Sequence, residues 1–181
     1  MPSPGTVSPG IWRRPGGEHV AEAPEPLDPR RIFDALAEHG VDFVVVGGLA
    51  AQAHGNTRMT NDVDLIPQPE PANLARLAEA LRALGAPVLN PGHEDAEVDA
   101  AMLPRATISQ FATPHGDVDV LHEAPGAAPY QQLRERALVI SLGRSRIPIA
   151  GLDDLIKMKL ARGRPVDRAD VAALTDPEAE P

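Results

Sequence analysis

Apolar residues recur at helical spacing through Ile32, Phe33 and Leu36, stop at Gly40, and give way to a short continuous apolar run over 41–46. The first pattern predicts a helix with Asp28 as its cap and Pro29 at its first position. The second, rich in β-branched residues, predicts a buried strand. Gly47-Gly48 ends that strand, and 49–54 reads as a short helix closed by Gly55. From Asp62 to Ile66 the period becomes two, which places Asp62, Asp64 and Ile66 on one face of a strand and Val63 and Leu65 on the other. Beyond Pro67, Pro69 and Pro71, the spacing of Leu74, Leu77, Leu81 and Leu84 marks the clearest amphipathic helix, ended by Gly85. Residues 86–104 read as irregular. Strand-like runs over 107–112 and 117–121 flank Thr113-Pro114-His115-Gly116, a hairpin connection, and set Asp117 and Asp119 on a shared face. A helix over 130–136, strands over 138–142 and 146–150, and helices over 152–162 and 165–174 complete the pattern.

Helices first, short mixed strands in the middle and helices last predict an α/β (α+β) domain, a small mixed sheet flanked by helices with a helical C-terminus. No regular βαβ series and no internal repeat is present. Residues 1–29 hold seven Pro and four Gly and read as a disordered arm, 30–175 as the domain, and 176–181 as a disordered tail. With 181 residues, 43% of them hydrophobic, the chain has room for a real core. The absence of Cys excludes disulfides, thiolate zinc sites and cysteine nucleophiles, and leaves the cytoplasm as the default compartment. A formal charge of −9 argues against a whole-surface polyanion binder and makes metal ions the natural counter-charge. No apolar run approaches the roughly 18 residues of a membrane span, so no membrane partner is expected. Aromatics, at 3%, are too few for a base-stacking platform.

Asp62-Val63-Asp64 carries the strongest chemical signal. On a strand its two carboxylates emerge side by side and repel unless a cation separates them, and Mg²⁺ is commonly held by such a pair. The alternative is a turn cap at Asp62 and a solvated Asp64. Asp119 lies on a strand that can neighbour these two and would add a third carboxylate and a general base, with Asp117 its rival on the same face. A solvated hairpin face is the competing explanation. Gly47-Gly48, between a strand and a helix, offers close backbone approach to a phosphate or else a plain tight turn. At helical phase Leu152, Leu155, Ile156 and Lys159 share one face, while Lys157 lies opposite beside Asp153 and Asp154. A lysine on the apolar side needs an anion, either a ligand phosphate or a carboxylate such as Asp167 or Asp170, which share a face with Val171 and Leu174. Arg164 is a second cation for the same pairing. The histidines show no metal-ligand spacing, and His93-Glu94-Asp95 reads as a solvated run. Walker A, G-x-G-x-x-G and G-x-S-x-G sequences are all missing.

In combination, Phe43-Val44-Val45-Val46-Gly47-Gly48, then Gly55, Arg58 and Thr60, then Asp62-Val63-Asp64-Leu65, resemble the signature of the DNA polymerase β-like (minimal) nucleotidyltransferase superfamily, in particular its AbiEii-like branch. The stretch from Leu155 to Asp170 is similar to the closing lysine and Arg-x-x-Asp segment of the same branch, so the resemblance spans about 30–175. It implies a nucleotidyltransferase fold with Asp62, Asp64 and Asp119 binding Mg²⁺, two ions in all. Gly47, Gly48, Arg58, Thr60 and Lys159 would then bind the nucleotide, and Lys159 with Asp167 or Asp170 would fill the additional catalytic positions. The implied reaction moves a nucleoside monophosphate from an NTP to an acceptor hydroxyl. Members of the branch include toxins of type IV toxin–antitoxin systems, some acting on the tRNA 3′ end, so tRNA and a cognate antitoxin are the implied partners. Two alternatives remain: a minimal nucleotidyltransferase antitoxin that modifies a partner protein, and a catalytically inactive module that binds a nucleotide or a partner.

Overall fold

In the computed structural model, residues 27–88, 98–100, 103 and 107–176 are described. Residues 1–26 of the expected arm, 177–181 of the expected tail and the run His93-Glu94-Asp95 lie outside them.

The chain runs α1 (Pro29–Glu38), β1 (Phe43–Val45), α2 (Gly47–Ala53), β2 (Asp62–Pro67), α3 (Pro71–Ala83), β3 (Ile108–Phe111), β4 (Asp117–Leu121), α4 (Tyr130–Glu135), β5 (Leu138–Leu142), β6 (Ser145–Ile149), α5 (Leu152–Arg162) and α6 (Pro165–Thr175). The six strands form one mixed sheet in the order β3-β4-β2-β1-β6-β5. β1 is antiparallel to β2 and parallel to β6, while β2 runs parallel to β4. Alternation along the strands sorts the core. Val63 and Leu65 of β2 and Val118 and Val120 of β4 face a cluster built with Ile32, Leu36, Leu77 and Leu81 of α1 and α3. The opposite side buries Val44, Ile66 and Leu121 with Leu133 of α4 and Met158 of α5. Asp62, Asp64 and Asp119 point to that second side, because they stand an even number of residues from Ile66 and Leu121 on the same strands.

Several elements form for the reasons their sequences suggest. Asp28 accepts the Arg31 N–H at the start of α1, Pro29 occupies the first turn, and Ile32, Phe33 and Leu36 are buried. The hairpin over 113–116 joins β3 to β4 as expected. Two readings are corrected. The short helix starts at Gly47 rather than residue 49, since Gly47 turns the chain with φ +66 and the glycines become its first residues. On α5 the solvent-facing assignment of Asp154 is wrong: its carboxylate is buried and receives Arg136 Nε at 2.8 Å and Nη2 at 2.9 Å. Arg136 caps α4, a separate element, so nothing in the local period of α5 announces the pair. Lys157 is exposed and Lys159 buried, as the helix phase predicts.

Residues 27–29, placed in the arm from the sequence, pack with the domain. Leu27 lies against Gly116, and the Asp28 N–H donates to His115 O at 2.9 Å. A chain beginning at Leu27 is therefore expected to exceed one beginning at Arg30 in stability by about 1–3 kcal/mol, from the lost cap and apolar contact. Denaturant unfolding of the two truncations checks this, and equal midpoints would refute it.

Candidate active site

Register does the first part of the assembly. With β2 and β4 parallel and adjacent, Asp62 stands opposite Asp117 and Asp64 opposite Asp119, so four carboxylates share one face of two strands. Asp62, Asp64 and Asp119 bring one oxygen each to within 4.8 Å of one another. Asp117 is exposed at the outer end of the ladder and does not join this trio.

Local chemistry then fixes each acid. Val46 donates its N–H to Asp64 O at 3.0 Å, which ties the glycine turn to the acidic strand. A Cβ on Gly47 would sit 1.8 Å from Asp64 Oδ2, so the bare Cα is what admits that carboxylate. A Cβ on Gly48 would lie 2.6 Å from Thr60 Oγ1, and Thr60 in turn donates its hydroxyl to Asp62 Oδ1. Gln110 of β3 reaches across with its Nε2 at 3.2 Å from both oxygens of Asp119. The glycine pair thus serves the carboxylates sterically.

Burial and like charge raise these acids. Asp64, 8% exposed, is pushed up to about 6 by loss of water, then by Asp62 and Asp119, against the pull of Arg162 and the Gly48 N–H. Asp119 is raised by burial and by Asp62 and Asp117, against the Gln110 hydrogen bond. Burial and Asp62 raise Asp117 as well.

Cations share the cleft with the acids. A cleft of about 220 Å³ is lined by Gly47, Gly48, Thr60 and the three acids and also by Arg58, Lys159, Arg162 and Arg164. Two buried carboxylates of α6 hold most of these cations. Asp170, 2% exposed, accepts from Lys159 Nζ at 2.6 Å, Arg58 Nε at 2.9 Å and Asn56 Nδ2 at 3.2 Å. Asp167, 1% exposed, takes a bidentate fork from Arg164 at 2.8 and 3.1 Å. Burial pushes both acids up, but Arg58 and Lys159 at Asp170, and Arg164 at Asp167, outweigh it and hold them below the usual carboxylate range.

Of the residues singled out from the sequence, Gly47, Gly48, Arg58, Thr60, Asp62, Asp64, Asp119, Lys159, Arg164 and Asp167 line one cleft, Asp170 stands behind its lining as an anchor, and Asp117 is not part of it. Arg162, Gln110 and Asn56 were not singled out. Arg162 carried a readable signal, since it follows Lys159 by three residues on one helix. Gln110 and Asn56 carried none, because their partners come from other elements. The trio of hard oxygen donors at an open cleft fits a divalent cation such as Mg²⁺, which takes few carboxylates and completes its shell from water and phosphate.

Residues 27–83 match the sequence profile of a family described as nucleotidyl transferase of unknown function (DUF2204). Among curated proteins, none matches the sequence. Solved structures share the fold at low identity. A protein of Thermotoga maritima assigned as a nucleotidyltransferase aligns with TM-score 0.52 and 15% identity over 80% of this chain and 87% of its own. The lincosamide antibiotic adenylyltransferase LnuA, in its lincomycin-bound form, gives 0.56 and 12% over 84% and 99%. The antibiotic-resistance factor ANT(2'')-Ia gives 0.53 and 17% over 81% and 80%. The mixed sheet with its flanking helices is therefore a nucleotidyltransferase fold.

The raised acids set the pH response of the metal-free protein. A carboxyl whose folded pKa exceeds its unfolded value favours folding fully below the unfolded value and loses that contribution as pH rises through the folded one. For Asp64, between 3.8 and about 6, the difference is on the order of 3 kcal/mol. In EDTA the melting temperature is expected to rise as pH falls from about 7 to about 4.5, and to fall at lower pH as the lowered Asp167 and Asp170 lose their ion pairs. Asp64→Asn should raise stability at neutral pH and flatten the upper part of the profile. Calorimetry across the range checks both, and an unchanged profile in the variant would refute the assignment.

Proposed function

We propose that this protein is a divalent-metal-dependent nucleotidyltransferase that moves a nucleoside monophosphate from an NTP to an acceptor hydroxyl. The observation that carries the reading is the presence, in the lining of one cleft, of the Asp62/Asp64/Asp119 trio together with Arg58, Lys159, Arg162 and Arg164. An anionic triphosphate suits the second set, and a cation is needed at the first. The match of residues 27–83 to a nucleotidyl transferase family supports the same class, and so do the adenylyltransferases among the fold's neighbours.

Asp62, Asp64 and Asp119 would hold Mg²⁺, which when bound neutralises triphosphate charge and raises the acidity of the acceptor hydroxyl. The hydroxyl oxygen forms a bond to the α-phosphorus, the bond from that phosphorus to the β-phosphate oxygen breaks, and pyrophosphate leaves in line. Asp119, raised by burial and held by Gln110, takes the hydroxyl proton. Lys159 and Arg58, fixed by Asp170, present a preorganised positive surface to the triphosphate. Gly47 and Gly48, by bearing no Cβ, leave room for Asp64 and Thr60 at the place where the phosphates would approach. Asp167 and Asp170 act as positioning residues through the cations they hold.

The acceptor proposed from the resemblance is the tRNA 3′ end, with a toxin–antitoxin role. Incubation of the full chain with each labelled NTP, Mg²⁺ and total RNA, a lysate or small hydroxylated antibiotics shows which fraction takes label. Label in RNA supports the tRNA proposal, label in protein the antitoxin-like alternative, and label in no fraction the inactive module.

Asp62→Asn and Asp64→Asn are expected to abolish transfer while leaving the fold intact, read by label incorporation beside circular dichroism. Activity surviving in both would defeat the metal-site reading. Lys159→Met, which keeps the stem and removes the charge, is expected to lower turnover at least about a hundredfold. It should remain folded because Arg58 still neutralises Asp170. Lys157→Ala, on the exposed side of α5, should be nearly silent. A damaging Lys157→Ala beside a harmless Lys159→Met would reverse the assignment.

A further inference from the structure

Of the four cations that face the cleft, three have a carboxylate built in: Arg58 and Lys159 share Asp170, and Arg164 has Asp167. Arg162 is different. It sits in the last turn of α5, three residues past Lys159, lines the same cleft half-buried, and has no hydrogen-bond or ion-pair partner among the described residues. A guanidinium carries five donors in a rigid fork, and no described residue takes those of this one. On the other three the charge is largely cancelled. Arg164 with Asp167 is neutral, and Asp170 offsets one of its two cations. Arg162 shares the cleft with Asp64 and Asp119.

We propose that Arg162 is the cation whose partner is the substrate: it grips the triphosphate on entry and stays with the pyrophosphate as it leaves. The inference rests on the nucleotidyl-transfer reading. Arg164 cannot follow a moving phosphate without uncovering Asp167, 1% exposed, and a move by Arg58 or Lys159 gives up an ion pair to the buried Asp170. Arg162 breaks no ion pair when it moves. Its fork matches two phosphate oxygens at once, and its charge meets the negative charge that grows on the β-phosphate oxygen as the bond to the α-phosphorus breaks. Three fixed cations thus shape the site while the free one tracks the reaction.

The test uses the full chain with Mg²⁺ and compares wild type, Arg162→Gln, Arg162→Lys and Arg168→Gln, the last an exposed position on α6 outside the cleft. The readouts are kcat/KM for the NTP, the inhibition constant of pyrophosphate, and the melting temperature. Arg162→Gln is expected to lose about 30- to 300-fold in kcat/KM and to weaken pyrophosphate inhibition about tenfold or more, with melting unchanged because no fixed contact is lost. Arg162→Lys should recover part of both, and Arg168→Gln should match wild type. Values for Arg162→Gln within threefold of wild type overturn the inference, as does a loss that tracks a lowered melting temperature without rescue by lysine. Should the wild type transfer nothing, the functional reading fails and titration with pyrophosphate decides this inference separately. Weaker binding by Arg162→Gln supports it, and equal binding, or none by either, overturns it.

Discussion

Three carboxylates forced toward one point, one of them nearly out of water, set the terms for everything around them. At separations of a few ångströms in a partly dry site, like charges repel by kilocalories, so a fold that keeps such a cluster must fix it with something other than its own attraction. Here the fixing is done by the backbone. Asp64 and Asp119 are paired positions of a parallel ladder, and the flanking apolar residues of the same strands are buried in the core on either face. The acids cannot separate without pulling β2 from β4.

The cations of the cleft pose the mirror problem. Cations that must remain beside a cleft are held by acids placed behind them, on α6, where burial is nearly complete. Asp170 takes donors from Asn56 and Arg58 in the segment before β2 and from Lys159 on α5, so it joins the two ends of the domain as well as aligning the charge. Each buried acid is satisfied by more than one donor, the condition under which a buried ionic group is tolerated. The cleft is lined by one set of charges that lacks counter-charge and another that has slightly too little.

Much of this was legible in the sequence because it is local. The alternation of Asp62-Val63-Asp64, the break at Gly47-Gly48 and the phase of Lys159 against Lys157 are all read from spacing along one element, and spacing is what a periodic backbone converts into direction. The pairing of Lys159 with an acid of α6 was within reach for the same reason, since a charge on an apolar stripe demands a partner. What escaped is what two distant elements decide together. Asp154 reads as solvated until Arg136 arrives from α4, and Gln110 gains its role only when β3 pairs beside β4. The preference for Asp119 over Asp117, which the resemblance implies, has its physical reason in a register that no strand specifies alone. The wrong start of α2 has a different origin: glycine weakens a helix interior, yet at a first turn its freedom in φ is an asset.

The parallel pairing of β2 with β4 has a bearing on how the molecule comes together. Antiparallel β1 and β2 are linked through a short helix and a loop, whereas β2 and β4 are separated by α3, β3 and the chain between them. Bringing together residues roughly fifty apart costs loop entropy before the ladder returns anything. The step that completes this ladder is also the step that brings Asp119 against Asp64, so the pairing is made against a charge repulsion. Without β4, the glycine turn and β2 hold a half-site with two carboxylates and no third. The acidic trio exists only where the two parallel strands meet.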